Sequence, residues 1–325
     1  MFKMNKIARI PTRYAIAIMI YMSVLVCYAM RVNLSVNIIE MVPVVANGTN
    51  AEIKETLGWS AYERATVLGG YSWGFIASNI LGGLVVQKLG PRNTILLSQL
   101  GSAILTFLSP LFAKISFLAL TITRIVLGFL SGFIFPAIAG LIANWAVPNE
   151  RGKFSAAVIG GTIGTVVAWS TLGVIIENYG WEWGFYSFGI VGVLFCLPWA
   201  YIVYDTPYNH PRIEEAEKLY IQDGIPKNNT AKPLPPYWRI LTNVPSTFGL
   251  ATGIGAISGI LTPLVVAHFT KEDETSLDNW KPVFYIGSGI YVFSAIIFVL
   301  FGSTKVQALN EVKHDEYTDK KTEKV

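Results

Sequence analysis

Eight apolar runs, each more than twenty residues long, dominate this chain of 325 residues. They cover about 14–41, 65–87, 93–113, 115–145, 154–177, 183–204, 244–269 and 282–302. A helix needs roughly 20 mostly apolar residues to cross the hydrocarbon layer of a bilayer, and all eight runs meet that length. Backbone N–H and C=O groups in lipid must be paired within the segment, so the expected fold class is an all-α membrane protein. Composition agrees: 52% of residues are hydrophobic and 14% charged, where a soluble domain averages about 25% charged. The lipid bilayer is therefore the first expected partner.

That setting changes how the remaining composition is read. The formal net charge of +4 is a topology signal, with no nucleic-acid partner implied. The glycine pairs Gly70/Gly74, Gly128/Gly132, Gly160/Gly164, Gly249/Gly253 and Gly255/Gly259 fall inside the apolar runs. Their spacing lets helices approach closely. The two cysteines, Cys27 and Cys196, also lie in apolar runs and read as small buried hydrophobes. The three histidines, His210, His268 and His314, have no ligand spacing, so neither a metal site nor a cofactor is expected. No Ser-His-Asp, GxSxG or Walker pattern supports an enzyme.

The runs divide the chain into a short N-terminus (1–13), six spans (14–204), a charged Pro-rich loop (205–243), two more spans (244–302) and a polar tail (303–325) read as disordered. Lys3, Lys6, Arg9 and Arg13 before the first run resemble a signal peptide, but the run is too long for one and reads as an uncleaved helix. Placing the N-terminus in the cytoplasm puts Lys88, Arg92, Arg151, Lys153, Arg212, Lys218 and the tail lysines there as well. Both termini are then cytoplasmic, and Asn47 of Asn47-Gly48-Thr49 is exposed to glycosylation on the other side. Two further sequons, at Asn33 and Asn228, fall in the membrane and the cytosol.

Two cations break the apolar pattern. Arg31 lies about ten residues before the end of the first run, and Arg124 about ten residues after the start of the fourth. A charge in mid-span costs at least about 2.5–3.5 kcal/mol on insertion scales. At about 1.5 Å per residue both sit roughly 15 Å below the outer surface, too deep for easy snorkelling, and no acid stands at that depth. Two guanidiniums at one level could clamp a carboxylate or phosphate through forked hydrogen bonds, so a small anionic substrate is expected. Asn33 and Asn37 share a helix face; they either line the same pathway or hydrogen-bond between helices. Trp73, Trp169, Trp183 and Trp199 read as interfacial or packing residues.

Six spans, a charged loop and further spans is the layout of the major facilitator fold. Gly83-Leu-Val-Val-Gln87-Lys88-Leu-Gly90-Pro-Arg92 looks like that superfamily's cytoplasmic motif, with Gln87 where an aspartate is usual. Asn149-Glu150-Arg151-Gly152-Lys153 is a similar charged turn after the fourth span. More specific are Arg31-Val-Asn33-Leu-Ser-Val, Arg124-Ile-Val-Leu-Gly128, Phe135-Pro-Ala and Asn144-Trp-Ala-Val-Pro-Asn-Glu-Arg151. Asn178-Tyr-Gly-Trp181 and Asp205-Thr-Pro-Tyr-Asn-His-Pro-Arg-Ile213 follow. Together, over nearly the whole chain, these strings resemble the SLC17 organic anion transporters, the group of sialin, vesicular glutamate and sodium–phosphate cotransporters.

The resemblance implies secondary active anion transport by alternating access, driven by sodium or protons, in the plasma membrane or a lysosomal or vesicular one. It places Arg31 and Arg124 at positions implicated in anion handling. It also sets Ser131 where proton-coupled members carry a glutamate, and Leu68 where glutamate carriers place a histidine. Pro236-Tyr-Trp-Arg-Ile-Leu241 looks like the run into the family's seventh helix, and Gly259-Ile-Leu-Thr-Pro-Leu264 like its eleventh. The join falls near Thr242, with helices seven to ten absent. A cavity built from one half has an open side, which calls for a partner chain to close it. A truncated, non-transporting membrane protein acting through interaction alone is the alternative.

Overall fold

The computed structural model describes residues 11–42, 57–225, 247–270 and 277–301, and among these there are helices and short turns but no strand. Asn47, Asn228, Thr242 and the tail lie outside the described residues. The chain divides into two compact units, Met1–Lys271 and Glu272–Val325.

The boundaries of the helices have local causes. Helix α1 is Thr12–Met41. Helix α2, Ala61–Leu89, opens with a reciprocal cap in which the Ser60 hydroxyl accepts from the Glu63 N–H and the Glu63 carboxylate accepts from the Ser60 N–H. It stops at Gly90, whose φ of 78° suits glycine, and Pro91 starts α3 (Pro91–Ile115) at the one helical position where a missing N–H is harmless. Ser116 caps α4 (Phe117–Ser131) by accepting from the Ala119 N–H at 3.1 Å.

The apolar run 115–145 is not one unbroken helix. It breaks at Gly132–Phe133 before α5 (Ile134–Trp145) because Pro136 has no N–H to give the Gly132 carbonyl and its ring crowds that carbonyl. A short 3₁₀ turn and α6 (Arg151–Ala156) lead into α7 (Gly160–Tyr179), so this span begins earlier than the apolar run from 154 suggests. Gly180, at φ 90°, turns the chain into α8 (Trp181–Ile202). The charged loop holds α9 (Glu215–Gly224), and α10 (Thr247–Thr270) completes the first unit. Helix α11, Leu277–Phe301, belongs to the second unit and exposes apolar side chains along its length.

Six helical stretches among the described residues are long and apolar enough to cross a membrane: 12–41, 91–115, 117–145, 148–179, 181–202 and 277–297. Helix α10 contributes a shorter apolar piece, Ile257–Thr270. Helix α2 has the length at 29 residues, but its centre is rich in glycine, serine and asparagine because it is a packing helix. It lies between α4 and α10, while α1 packs on α7 and α8 and α3 on α8 and α4. A methyl group at Gly74 would overlap the Ile125 carbonyl, and one at Gly128 would overlap the Tyr71 carbonyl. The α2–α4 crossing therefore tolerates no side chain at either point. On the other side of α2, Gly259 of α10 meets Ser72.

The largest apolar cluster, around Ile16, Ile20, Trp145, Phe154 and Trp199, sits where α1 begins and α5 and α8 end. A smaller one, with Leu34, Ile38, Leu120 and Phe185, lies toward the opposite end. The arginines of α1 and α4 fall between these two clusters.

Candidate functional site

Arg31 and Arg124 meet at one aromatic ring. The Arg31 guanidinium lies 4.9 Å from the Tyr71 ring centroid and that of Arg124 lies 5.5 Å from it. Helices α1 and α4 carry the cations, and α2 supplies the ring between them. Arg124 is 4% exposed. One of its terminal nitrogens donates to the Arg31 carbonyl at 2.9 Å, and its Nε has no partner among the described residues. Arg31 is partly open and also lies over Tyr28 at 5.5 Å and Phe75 at 5.6 Å. Among the described residues neither arginine forms an ion pair. Burying an ion without a counter-charge costs several kcal/mol, and cation–π contacts return about 0.5–2 kcal/mol each. The site has an electrostatic deficit that an incoming anion would correct.

The asparagines point elsewhere. Asn33 donates to the Gly184 carbonyl of α8 at 2.7 Å, and Asn37 donates to the Asn33 side-chain oxygen at 2.6 Å. Both are fully buried, and a methyl at Gly184 would strike the Asn37 amide. The interhelical alternative is therefore the arrangement present, and the structure does not bring Asn33 and Asn37 to the arginines. Ser131, two turns along α4 from Arg124, donates to the Leu127 carbonyl at 2.9 Å and stands 3.5 Å from the Ser102 hydroxyl. Leu68 packs in the cluster toward the far end of the bundle, one turn before Tyr71. Of the tryptophans, Trp73, Trp169 and Trp183 are exposed on the helix surfaces, whereas Trp199 is buried and donates to the Arg92 carbonyl.

The charged motifs collect at the end where α1 begins. Arg92 lays its guanidinium 4.7 Å from the Tyr204 ring, donates to the Ala200 carbonyl, and has its backbone N–H held by Asp205 at 2.8 Å. Gly90 leaves room for that carboxylate; a methyl there would meet it. The last turn of α8 thus has its free carbonyls occupied: Ala200 by Arg92, Tyr201 by Arg212 and Ile202 by the His210 ring. Glu150 pairs with Arg13 at 3.0 Å and accepts from the Tyr14 hydroxyl, while Arg151 is exposed. Gly83, Gln87 and Lys88 face outward on α2 with no bond formed among the described residues.

Four participants were not singled out as site residues from the sequence. Tyr71 is one. Glu217 of α9 is another: its carboxylate accepts from the Thr12 and Arg13 N–H groups at 2.8 and 3.0 Å and pairs with the Arg13 guanidinium at 3.2 Å. Arg13 and Asp205 complete the set, visible beforehand only as a basic flank and as one letter of a longer string. Among the described residues no cluster of His, Cys, Asp or Glu could hold a metal ion.

Comparison with known proteins accords with this architecture. The profile of the Major Facilitator Superfamily matches residues 15–302, so the chain belongs to that superfamily. Within it, the chain is similar to members of the SLC17 group. It is 31% identical to human sialin over 279 residues, 79% of this chain and 53% of sialin. It is also 31% identical to vesicular glutamate transporter 1 of Xenopus tropicalis over 245 residues, 73% of this chain and 42% of that protein. The chain spans about half the length of the curated relatives it matches. The inward open conformation of the xylose transporter XylE from E. coli superimposes with a TM-score of 0.51 at 15% identity, covering 82% of this chain and 69% of that one, a likeness of fold.

Proposed function

We propose that this protein carries small anions across a membrane by alternating access, with Arg31 and Arg124 as the anion-binding pair. The single observation that carries the reading is a pair of mid-bundle guanidiniums, converging on one ring, that form no ion pair among the described residues. A carboxylate or phosphate entering there gains charge-assisted hydrogen bonds and relieves the repulsion between the two cations. The substrate class is inorganic phosphate or an organic carboxylate such as sialic acid, the latter in keeping with the likeness to sialin.

Asn33 and Asn37 hold α1 in register against α8 behind the site and make no contact with substrate in this reading. Glu150 and Arg92 fasten the end of the bundle where α1 begins, which is the cytoplasmic end in this reading. A cavity built from one half has an open side, and closing it falls to a partner chain in this reading. Ser131 cannot titrate, so a proton, if it drives transport, is carried at another position; sodium is the other candidate. The membrane is the plasma membrane or a lysosomal or vesicular one.

The test is uptake of labelled phosphate and sialic acid into proteoliposomes under an imposed sodium or proton gradient. Uptake should depend on one of the gradients and vanish in Arg124→Ala at equal insertion. Absence of uptake of every anion tried, at verified insertion and orientation, would overturn the proposal.

A further inference from the structure

Two like charges lie against one ring in this site, and neither forms an ion pair with a carboxylate among the described residues. Tyr71 is placed to do so. Of the three rings around Arg31, those of Tyr28 and Phe75 contact that guanidinium alone, whereas the Tyr71 ring is shared with Arg124. The ring is buried and stacked on Phe75 at 5.9 Å with 20° between planes. Its backbone is pinned as well, because the Tyr71 carbonyl lies against Gly128 where no β-carbon would fit. Arg31 belongs to α1, Arg124 to α4 and the ring to α2, so one side chain joins three helices at the level of the cations. The negative face of an aromatic ring attracts a cation more strongly where water is excluded.

We propose that Tyr71 is the positioning residue of the anion site: its ring holds the Arg31 and Arg124 guanidiniums at their working spacing while no anion is bound. The proposal rests on the reading of those arginines as the anion pair. It assigns the function to the ring, since both contacts are to its face, and treats the hydroxyl as dispensable. Loss of the ring lets the guanidiniums separate, so anion affinity falls before turnover does.

The test uses the purified full-length protein and two readouts. The first is the rate at which phenylglyoxal, an arginine reagent, modifies Arg31 and Arg124, followed by peptide mass spectrometry. Tyr71→Phe should leave both rates within about twofold of the native protein, while Tyr71→Leu should raise both by about fivefold or more, the worth of one lost cation–π contact. Tyr71→Met, which fills the space without a ring, serves where the leucine variant fails to fold. Phe75→Leu is the packing control and should leave Arg124 unchanged. Native rates at both arginines in the leucine or the methionine variant would overturn the proposal.

The second readout is anion uptake in proteoliposomes. Tyr71→Leu or Tyr71→Met should raise KM about tenfold with the maximal rate per inserted molecule within about threefold, and Tyr71→Phe should restore KM. A fall in maximal rate at native KM would mark a purely structural residue and overturn it. Changed labelling with no uptake by the native protein would leave the positioning role standing and sink the transport reading instead.

Discussion

Arg13, partly buried at the start of α1, and Arg124, buried within α4, belong to one bundle, yet their surroundings are opposite. Arg13 has two carboxylates, Glu150 and Glu217, and its guanidinium lies 4.8 Å from the Tyr14 ring and 4.9 Å from that of Tyr220. Glu217 also takes the first N–H groups of α1, where the helix dipole favours a negative charge. Arg124 has one carbonyl, one shared ring and an Nε with no partner among the described residues. The first arrangement is what a structural cation needs: two carboxylate partners, with two helices and a turn tied together. The second leaves the charge available. In the proposed reading, that unpaired charge is where the anion binds.

Removing each arginine should therefore have opposite consequences for stability. Arg13→Ala strands Glu150 and Glu217 as unpaired buried charges and should lower stability by about 3–5 kcal/mol, read as loss of thermal stability in detergent; native stability would mean the network is ornamental. Arg124→Leu removes a charge with no counter-ion and should leave stability equal or raised, by up to about 1–4 kcal/mol in comparable replacements. Marked destabilisation would show that Arg124 is structural after all. Gly128→Ala forces a methyl into the Tyr71 carbonyl and should cost about 1–3 kcal/mol, with anion uptake falling along with it because the ring shared by the arginines moves.

Smaller effects sharpen the paired end. Asp205→Ala removes the acceptor for the Arg92 N–H at the start of α3 and should cost about 1–2 kcal/mol, with Asp205→Asn recovering most of it. His210 lies outside the membrane-spanning helices, buried against Trp145 and Tyr204. Burial holds its imidazole below the ordinary histidine range, an effect that the Arg212 charge adds to and the Ile202 hydrogen bond opposes. The unfolded chain therefore binds a proton more readily than the folded one. Stability should decline as pH falls below about 6.5 and level off beneath the folded-state value. A melting series between neutral and mildly acidic pH, repeated with His210→Gln to flatten this component, checks the sign; a gain in stability on acidification that the variant abolishes would refute it.

How far the residues alone disclosed this structure depends on the distance over which each feature is determined. The helices follow from the apolar runs because lipid leaves the backbone few other choices. The two arginines were visible for the same reason, as charges where charge is costly. Hydropathy is blind to backbone geometry, so the break at Gly132–Phe133 is hidden inside an apolar run even though Pro136 causes it. Helix α9 escaped notice because it lies in a charged, Pro-rich stretch, and Glu217 and Ile221 are buried only by what packs on them. Tyr71 was least legible. An aromatic in an apolar run reads as packing, and its link to Arg31 and Arg124 arises from three helices meeting. Asp205 opens the polar string after α8, but its partner Arg92 lies over a hundred residues earlier.

The most direct measurement sets the two kinds of arginine side by side: initial rates of labelled phosphate and sialic acid uptake in proteoliposomes bearing native protein, Arg31→Ala, Arg124→Ala or Arg13→Ala, each corrected for folded, inserted protein. The account predicts that Arg31→Ala and Arg124→Ala each lose about a hundredfold or more in Vmax/KM, the worth of a charge-assisted contact to an anion. Arg13→Ala should keep its rate per folded molecule within about threefold, since it binds no substrate. Native uptake by Arg124→Ala, with the loss falling on Arg13→Ala instead, would contradict it.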